Sequence, residues 1–324
     1  MAQIQTATGP VDAGRLGFTL SHEHLLVGSA GVFQGFPFLF DMKATFAQII
    51  KELREARAGG VETIIDLTTL DLGRDVELAA KASRESGVHV VVATGLWLDV
   101  PRVFWGRDPD FLARVFIREI EEGIGGTGIK AGVIKVANDE GGVTEQGEVV
   151  LRAAARACLA TNVPISTHQW APEQVGLRQV EIFEDERVDM RRVCIGHSAD
   201  TTDVEYLVRL LERGVFLSMD RYPGREGRPS WQERNHTVKA LIDCGYADRL
   251  MLGHDYAPAP VVAGQEPLAP EEPTRYLFLA KTAIPGLRKM GVGEDAIRMM
   301  TVEVPRRFLS RGGKASSGFA LLRS

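Results

Sequence analysis

The chain has 324 residues, 44% hydrophobic and 25% charged, an ordinary balance for a globular protein. Its net charge of −5 and pI of about 5.9 argue against nucleic acid or an anionic membrane surface as partner. Three scattered cysteines, Cys158, Cys194 and Cys244, argue against a disulfide framework and fit a reducing compartment.

The opening segment MAQIQTATGPVDAGRLG has no basic start followed by an apolar run, so no secretory or twin-arginine leader is read there. No apolar stretch is long enough to span a bilayer. A cytoplasmic protein without a membrane partner is expected. GFTLS (17–21) is the first of eight short runs rich in Val, Ile and Leu. GVFQGFPFLF (31–40) follows it and is aromatic-rich, either a dimer surface or a wall of the site. FAQIIKELREARAG (46–59) reads as a helix with Ile49, Leu53 and Ala56 on one face. The next runs are TIIDL (63–67), VHVVVATG (88–95) and AGVIKVA (131–137). QGEVVLRAAARACLAT (146–161) is an Ala-rich helix with Val150, Ala154 and Ala157 on a stripe. VPISTH (163–168), VCIGH (193–197), VFLSMD (215–220) and RLMLGHD (249–255) complete the eight. APAPVVAGQEPLAPEEP (257–273) is a long proline-rich loop, expected to cover an acyl-chain groove. The tail 314–324 is polar, then weakly apolar, and reads as poorly ordered.

Near-continuous apolar strands alternating with helices require a parallel sheet buried on both faces. Glycines at 59–60, 87 and 214 sit where helices should stop. Eight such strands favour a closed (β/α)8 TIM barrel, one domain over 1–324. No Gly-x-Gly-x-x-Gly turn follows the first strand, which counts against a dinucleotide fold.

Barrels of this kind carry their chemistry at the C-terminal ends of the strands. His22 and His24 end the first strand, His168 the fifth, His197 the sixth and Asp255 the eighth, with Lys135 inside the fourth. Five of the seven histidines fall at the mouth, His254 included; His89 begins a strand and His236 lies in a helix. Residues two apart in an extended segment share a side, so His22 and His24 can face one metal together. Imidazole with carboxylate suits Zn²⁺ first, and also Co²⁺, Mn²⁺ or Fe²⁺. Asp255 can bind a metal and accept a proton from water. Any one of these histidines alone is more simply a hydrogen-bonded structural residue; their joint placement is not. Lys135 is costly if charged and unpaired inside a barrel. It either pairs with Asp66 or Asp255, or becomes a neutral amine, takes up carbon dioxide and bridges two metals as a carbamate.

The motifs TLSHEH, ATGLWLD, AGVIKVA, PISTH, RVCIGHS, SMDRY and LMLGHDY resemble, in order, those of the phosphotriesterase family of the amidohydrolase superfamily, from about Ile4 to Leu309. The resemblance implies a binuclear centre. His22, His24 and Asp255 would hold the more buried metal, and His168 and His197 the more exposed one. Carboxylated Lys135 and a hydroxide would bridge them. Asp255 would carry the proton away, with a relay through Arg221 and Asp200. Arg221, Tyr222 and the short loop PGREGRPSW (223–231) resemble the phosphotriesterase-like lactonases. Trp97 resembles the organophosphate hydrolases and would wall a substrate pocket; packing under its loop is the plainer reading.

The resemblance thus implies a metal-dependent lactonase of the N-acyl-homoserine lactone type, with promiscuous phosphotriesterase activity. Trp97, Arg221 and Tyr222 would contact the substrate, in a pocket expected to be apolar. The substrate would be a small hydrophobic lactone or organophosphate ester, and the assembly a homodimer. A dedicated phosphotriesterase is the nearest alternative. A non-catalytic barrel that kept a structural metal is an alternative from another class, opposed by the intact Asp255 and Lys135.

Overall fold

The computed structural model describes residues 2–268 and 272–310. The tail at 314–324 and residues 269–271 of the proline-rich loop lie outside them. An antiparallel hairpin, β1 (Gln3–Thr6) and β2 (Gly9–Asp12), precedes the barrel. The sequence reading did not foresee it. Eight parallel strands follow: β3 (Thr19–Glu23), β4 (Thr63–Asp66), β5 (His89–Leu96), β6 (Val133–Ala137), β7 (Ile165–His168), β8 (Val193–Ile195), β9 (Phe216–Met219) and β10 (Leu250–Leu252). They are the eight runs predicted as strands, neighbours in chain order.

The helices outside them are α1 (Val32–Gly35), α2 (Met42–Ala58), α3 (Val76–Ser86), α4 (Pro109–Glu121), α5 (Glu145–Thr161), α6 (Val175–Asp185), α7 (Val204–Glu212), α8 (Trp231–Asp243), α9 (Ile284–Lys289), α10 (Glu294–Arg298) and α11 (Val304–Leu309). Helix α2 starts four residues before the apolar stripe suggests, because the Asp41 carboxylate accepts from the Ala44 N–H. Asp75, Asp108, Thr144, Asp203 and Ser230 cap α3, α4, α5, α7 and α8 in the same way.

The strands bury both faces, as a parallel barrel must. On β5, Val90 and Val92 pack toward the helices, while Val91 and Ala93 join an inner core with Ile65, Val133, Cys194, Phe216 and Met251. Ile4 and Phe308 join that inner core as well. On β6 the alternation continues inward from Val133 to Lys135, one step nearer the mouth. The barrel closes between β3 and β10. The Asp255 N–H donates to the His22 carbonyl (2.8 Å) and the His24 N–H to the Tyr256 carbonyl (2.8 Å). Gly253 permits that approach, since a Cβ there would lie 2.9 Å from the His22 nitrogen.

A buried hydrogen-bonded pair secures the same seam from outside. The Glu23 carboxylate accepts from the backbone N–H of His254 (2.8 Å) and of Tyr256 (3.1 Å), and pairs with His254 Nδ1 (2.7 Å). His254 Nε2 accepts the Leu279 N–H (3.1 Å). His254 therefore turns its ring nitrogens to Glu23 and Leu279, while it still lines a cavity at the mouth, where the sequence places it. We predict that Glu23→Ala, which strips a buried imidazole and two backbone donors of their acceptor, lowers unfolding free energy by about 3 kcal/mol. Urea denaturation of the purified variant measures it; a loss under about 1 kcal/mol, within surface-substitution range, would show the clamp to be dispensable.

Candidate metal centre

Strand β3 does not extend regularly to its end. Leu20 packs outward, and Ser21 points inward, with Oγ 2.9 Å from Ser218 Oγ. Strict alternation would then turn His22 toward the helices. The register against β4 slips between Leu20 and Glu23, and this bulge returns His22 and His24 to the interior. At β8 and β10 the chain achieves a similar turn with left-handed backbone, at His197 (φ 52°) and Asp255 (φ 54°).

Four imidazoles gather there, three within 3% of full burial and His24 at 7%. Each turns one nitrogen to the centre, and three of the four bond an oxygen partner through the other. His22 Nδ1 meets Asp220 Oδ2 at 2.9 Å, and His197 Nδ1 meets Asp220 Oδ1 at 2.8 Å. His24 Nδ1 meets Thr68 Oγ1 at 2.8 Å, and that hydroxyl donates to Asp66 Oδ1. His168 Nε2 lies 3.4 Å from Asp139 Oδ1. On the inner side, Asp255 Oδ1 is 3.3 Å from His22 Nε2 and 3.2 Å from His24 Nε2. His168 Nδ1 and His197 Nε2 face each other at 2.9 Å. Converging nitrogens oriented from behind by carboxylates and a hydroxyl are the donor arrangement a divalent metal requires.

Burial, with the Lys135 cation, brings the His22 pKa down to about 4, and burial lowers those of His168 and His197 as well. Neutral imidazoles keep the lone pairs that ligation needs. Burial would raise the Asp255 carboxyl, but His197 and His22, a hydrogen bond with His24 and the Arg221 guanidinium hold it well below the usual range. Lys135 is 1% exposed, and burial lowers its pKa to about 8. Its Nζ lies 3.2 Å from His22 Nε2 and 3.4 Å from the Thr167 carbonyl. Among the described residues it forms no ion pair with Asp66, Asp255 or any other carboxylate. That leaves the simpler explanation for this lysine without a partner.

His22, His24 and Asp255 form one set of ligand atoms within reach of a single ion. His22, His197 and Asp220 are equally close, but the Asp220 oxygens already serve both Nδ1 atoms and the His197 N–H (3.2 Å). Asp220 is thus an orienting group. Sequence reading passed over it, although it ends its strand as the ligands end theirs.

Arg221 Nε donates to Asp255 Oδ2 (2.9 Å) and Nη1 to Asp200 Oδ2 (2.6 Å). Arg228 and Arg234 also donate to Asp200, at 3.1 and 2.9 Å. These two arginines carried no sequence signal. Trp97 places its indole N–H 3.3 Å from His168 Nδ1, on a loop whose Trp97 and Asp99 N–H groups bind the Asp71 carboxylate. Tyr222 borders the mouth with its ring, while its hydroxyl is buried and donates to Asn235 Oδ1 (2.9 Å). Two cavities flank the centre. One, about 520 Å³, lies between the loops after β9 and β10 and includes Arg221, Arg228, Tyr256 and Leu268. The other, about 600 Å³, lies by Trp97, Trp105 and Asp139. The first combines charged residues, Asp200, Arg221, Arg228 and Asp255 among them, with the apolar Ala257, Ala259 and Leu268.

The model of the phosphotriesterase family matches residues 2–309. This chain belongs to that family. A "phosphotriesterase homology protein" of Mycobacterium tuberculosis is 40% identical over 97% of this chain and 99% of its own length. An "aryldialkylphosphatase" of Saccharolobus solfataricus is 38% identical over 93% of this chain and 97% of its own. The solved phosphotriesterase of M. tuberculosis superposes with a TM-score of 0.87 at 38% identity, over 95% of this chain and 98% of that one. The phosphotriesterase family comprises metal-dependent binuclear hydrolases, and this member is accordingly a hydrolase.

Within this family member, Asp220 offers the sharpest test of how the imidazoles are held. Asp220→Ala removes the partner of two ring nitrogens, and metal affinity is expected to fall about 10- to 100-fold. Titration of the metal-free protein with Zn²⁺ against a competing chelator measures this. Unchanged affinity would mean that the imidazoles are fixed by packing alone.

Proposed function

We propose that this single-domain hydrolase is a lactonase, opening N-acyl-homoserine-type lactones, with a weaker phosphotriesterase activity. The observation that carries the reading is the short stretch between β9 and α8, where Arg221 is fastened to Asp255 and Asp200 beside the 520 Å³ cavity. His22, His24 and Asp255 would hold one metal, His168 and His197 the second, with carboxylated Lys135 between them. Zinc suits this donor set first; cobalt, manganese or iron would also fit. Bound metal would supply Lewis acidity, polarising the substrate oxygen and making water acidic enough to attack near neutral pH.

The chain's own groups would do the rest. Asp255 accepts the proton of the attacking water as the new carbon–oxygen bond forms. It returns that proton to the ring oxygen as the acyl–oxygen bond breaks. Arg221 keeps its proton throughout, since Asp255 and Asp200 raise its already high pKa. It therefore serves as a positioning residue for two carboxylates, and the Arg221–Asp200 relay becomes a clamp. Trp97 closes the His168 side, and Leu268 with Tyr256 gives an acyl chain its apolar contact.

Trp97 and the relative named aryldialkylphosphatase support the alternative, a dedicated phosphotriesterase. Exposed Phe36, Phe38 and Leu39 support a homodimer surface rather than a wall of the mouth. The three free cysteines suit a cytoplasmic setting.

Three measurements test this. The metal-loaded enzyme is expected to show kcat/KM at least about 100-fold higher on a long-chain acyl-homoserine lactone than on an aryl phosphotriester, a margin of roughly 2.7 kcal/mol. A preference for the triester would replace the lactonase reading with the alternative. Binding of about two metals per chain, with hydrolysis of either ester lost in Asp255→Asn, would exclude a non-catalytic metal-binding barrel. For the lysine, reconstitution of metal-free protein with Zn²⁺ is expected to need bicarbonate in wild type and to ignore it in Lys135→Met. Equal recovery without carbon dioxide would remove the carbamate from the account.

A further inference from the structure

We propose that the floor of the barrel, opposite the metal centre, holds a second binding site for a small phosphate-bearing anion. A cavity of about 870 Å³ opens there, larger than either one at the mouth. It lies at the N-terminal ends of β8, β9 and β10 and against α11. Arg191, Arg192, Arg249, Arg306 and Arg307 line it, with Phe216 among them. Five arginines line the cavity against two carboxylates, in a chain of net charge −5. No lysine is among the lining residues, and the planar guanidinium fork is the group that matches phosphate oxygens in pairs.

Several of these side chains are already held. Arg192 donates to the carbonyls of Asn162 (2.7 Å) and Ser310 (2.9 Å). Arg249 donates to the Gly214 carbonyl (3.0 Å) and lies 5.4 Å from the Phe216 ring centre. The carbonyl anchor of Arg249 fixes its guanidinium without neutralising it, so little ordering is left for a ligand to impose there. The two carboxylates that line the cavity are engaged. Asp189 pairs with Arg191 at 2.8 Å, and Asp12 accepts the Gly14 N–H at 2.8 Å.

A purely structural role would be to fasten α11 to the floor. It explains Arg306 with Glu303 and Arg307 near Asp248. It leaves Arg249, which among the described residues has no ion pair, facing an open cavity. A phosphate monoester carries nearly two charges at neutral pH and three acceptor oxygens, which suit the guanidinium groups gathered here. The volume lies within the range of about 300–1,000 Å³ typical of small-ligand sites.

The test is calorimetric titration of the metal-loaded, full-length protein at low ionic strength. The probes are inorganic phosphate and, separately, glycerol 2-phosphate. Arg249→Gln and Arg306→Gln are each expected to weaken one binding event at least tenfold, with ester hydrolysis unchanged. Arg84→Gln, which removes an exposed charge from α3, is expected to leave that event intact. Binding at the mouth would survive all three substitutions. Tighter binding of the ester than of phosphate would mark an organic phosphate as the ligand, and equal binding the free ion. The proposal is overturned if wild type binds neither probe at 10-fold excess over about 1 mM, a weak-affinity threshold. It is equally overturned if affinity is the same in wild type, Arg249→Gln and Arg306→Gln. Should Arg249→Gln not fold, the half-exposed Arg306→Gln alone decides.

Discussion

The buried carboxylate of Asp220 is the interaction on which the mouth depends. It has no solvent contact, and each oxygen holds the Nδ1 of a different histidine, one from β3 and one from the end of β8. Burial alone would raise its pKa, but the His197 and His22 rings and their hydrogen bonds hold it well below the carboxylate range. A buried charge persists only where its partners are this complete. The consequence reaches the centre directly. With Nδ1 engaged on both rings, both Nε2 atoms must face inward, so one residue sets two tautomers and two ring orientations at once.

The same principle joins the seam of the barrel to its chemistry. His22 and His24 point inward, and Glu23 between them points outward to His254. One short stretch of β3 therefore supplies two candidate ligands on one face and a structural clamp on the other. The backbone bonds that close β3 on β10 run through His22, His24 and Asp255, which are also the residues of the first ligand set. Closure of the sheet and assembly of the site are one event. Disturbing the seam would open the barrel and separate Asp255 from its histidines together.

Much of this was legible in the sequence because position in a barrel strand is legible. Eight apolar runs were enough to place the strands, and a polar residue at the end of such a run marks the mouth. That rule located His22, His24, His168, His197 and Asp255, and it applied equally to Asp220, which was overlooked because a single carboxylate carries no motif. The inward direction of His22 was reached by assuming regular alternation, whereas the chain achieves it through a bulge that has no residue signature. His254 lies at the mouth as its position suggests, but its bond to Glu23 across the seam has no signature along the chain. Arg228 and Arg234 reach Asp200 from a loop and from helix α8, and no pattern along the chain announces such meetings. The charged lining of the 520 Å³ cavity has the same origin. The hairpin β1–β2 was missed because each strand is only four residues long and begins in a polar segment.

Backbone strain follows the same distribution as the chemistry. His197, Arg221 and Asp255 all adopt left-handed φ, between 52° and 62°, just beyond the strands that carry them. Non-glycine residues held in such regions cost on the order of 1 kcal/mol each and persist only where their surroundings fix them. Here the fixing bonds can be named. The His197 N–H reaches Asp220, the Asp255 N–H reaches the His22 carbonyl, and the Arg221 side chain spans Asp255 and Asp200. In each case the sharp turn swings a side chain over the barrel axis instead of letting the strand run on into solvent. A glycine would relieve the backbone at any of the three and would supply no ring, guanidinium or carboxylate. The retention of functional side chains at strained positions, each secured by bonds to another member of the same group, is what ties the stability of the mouth to its use.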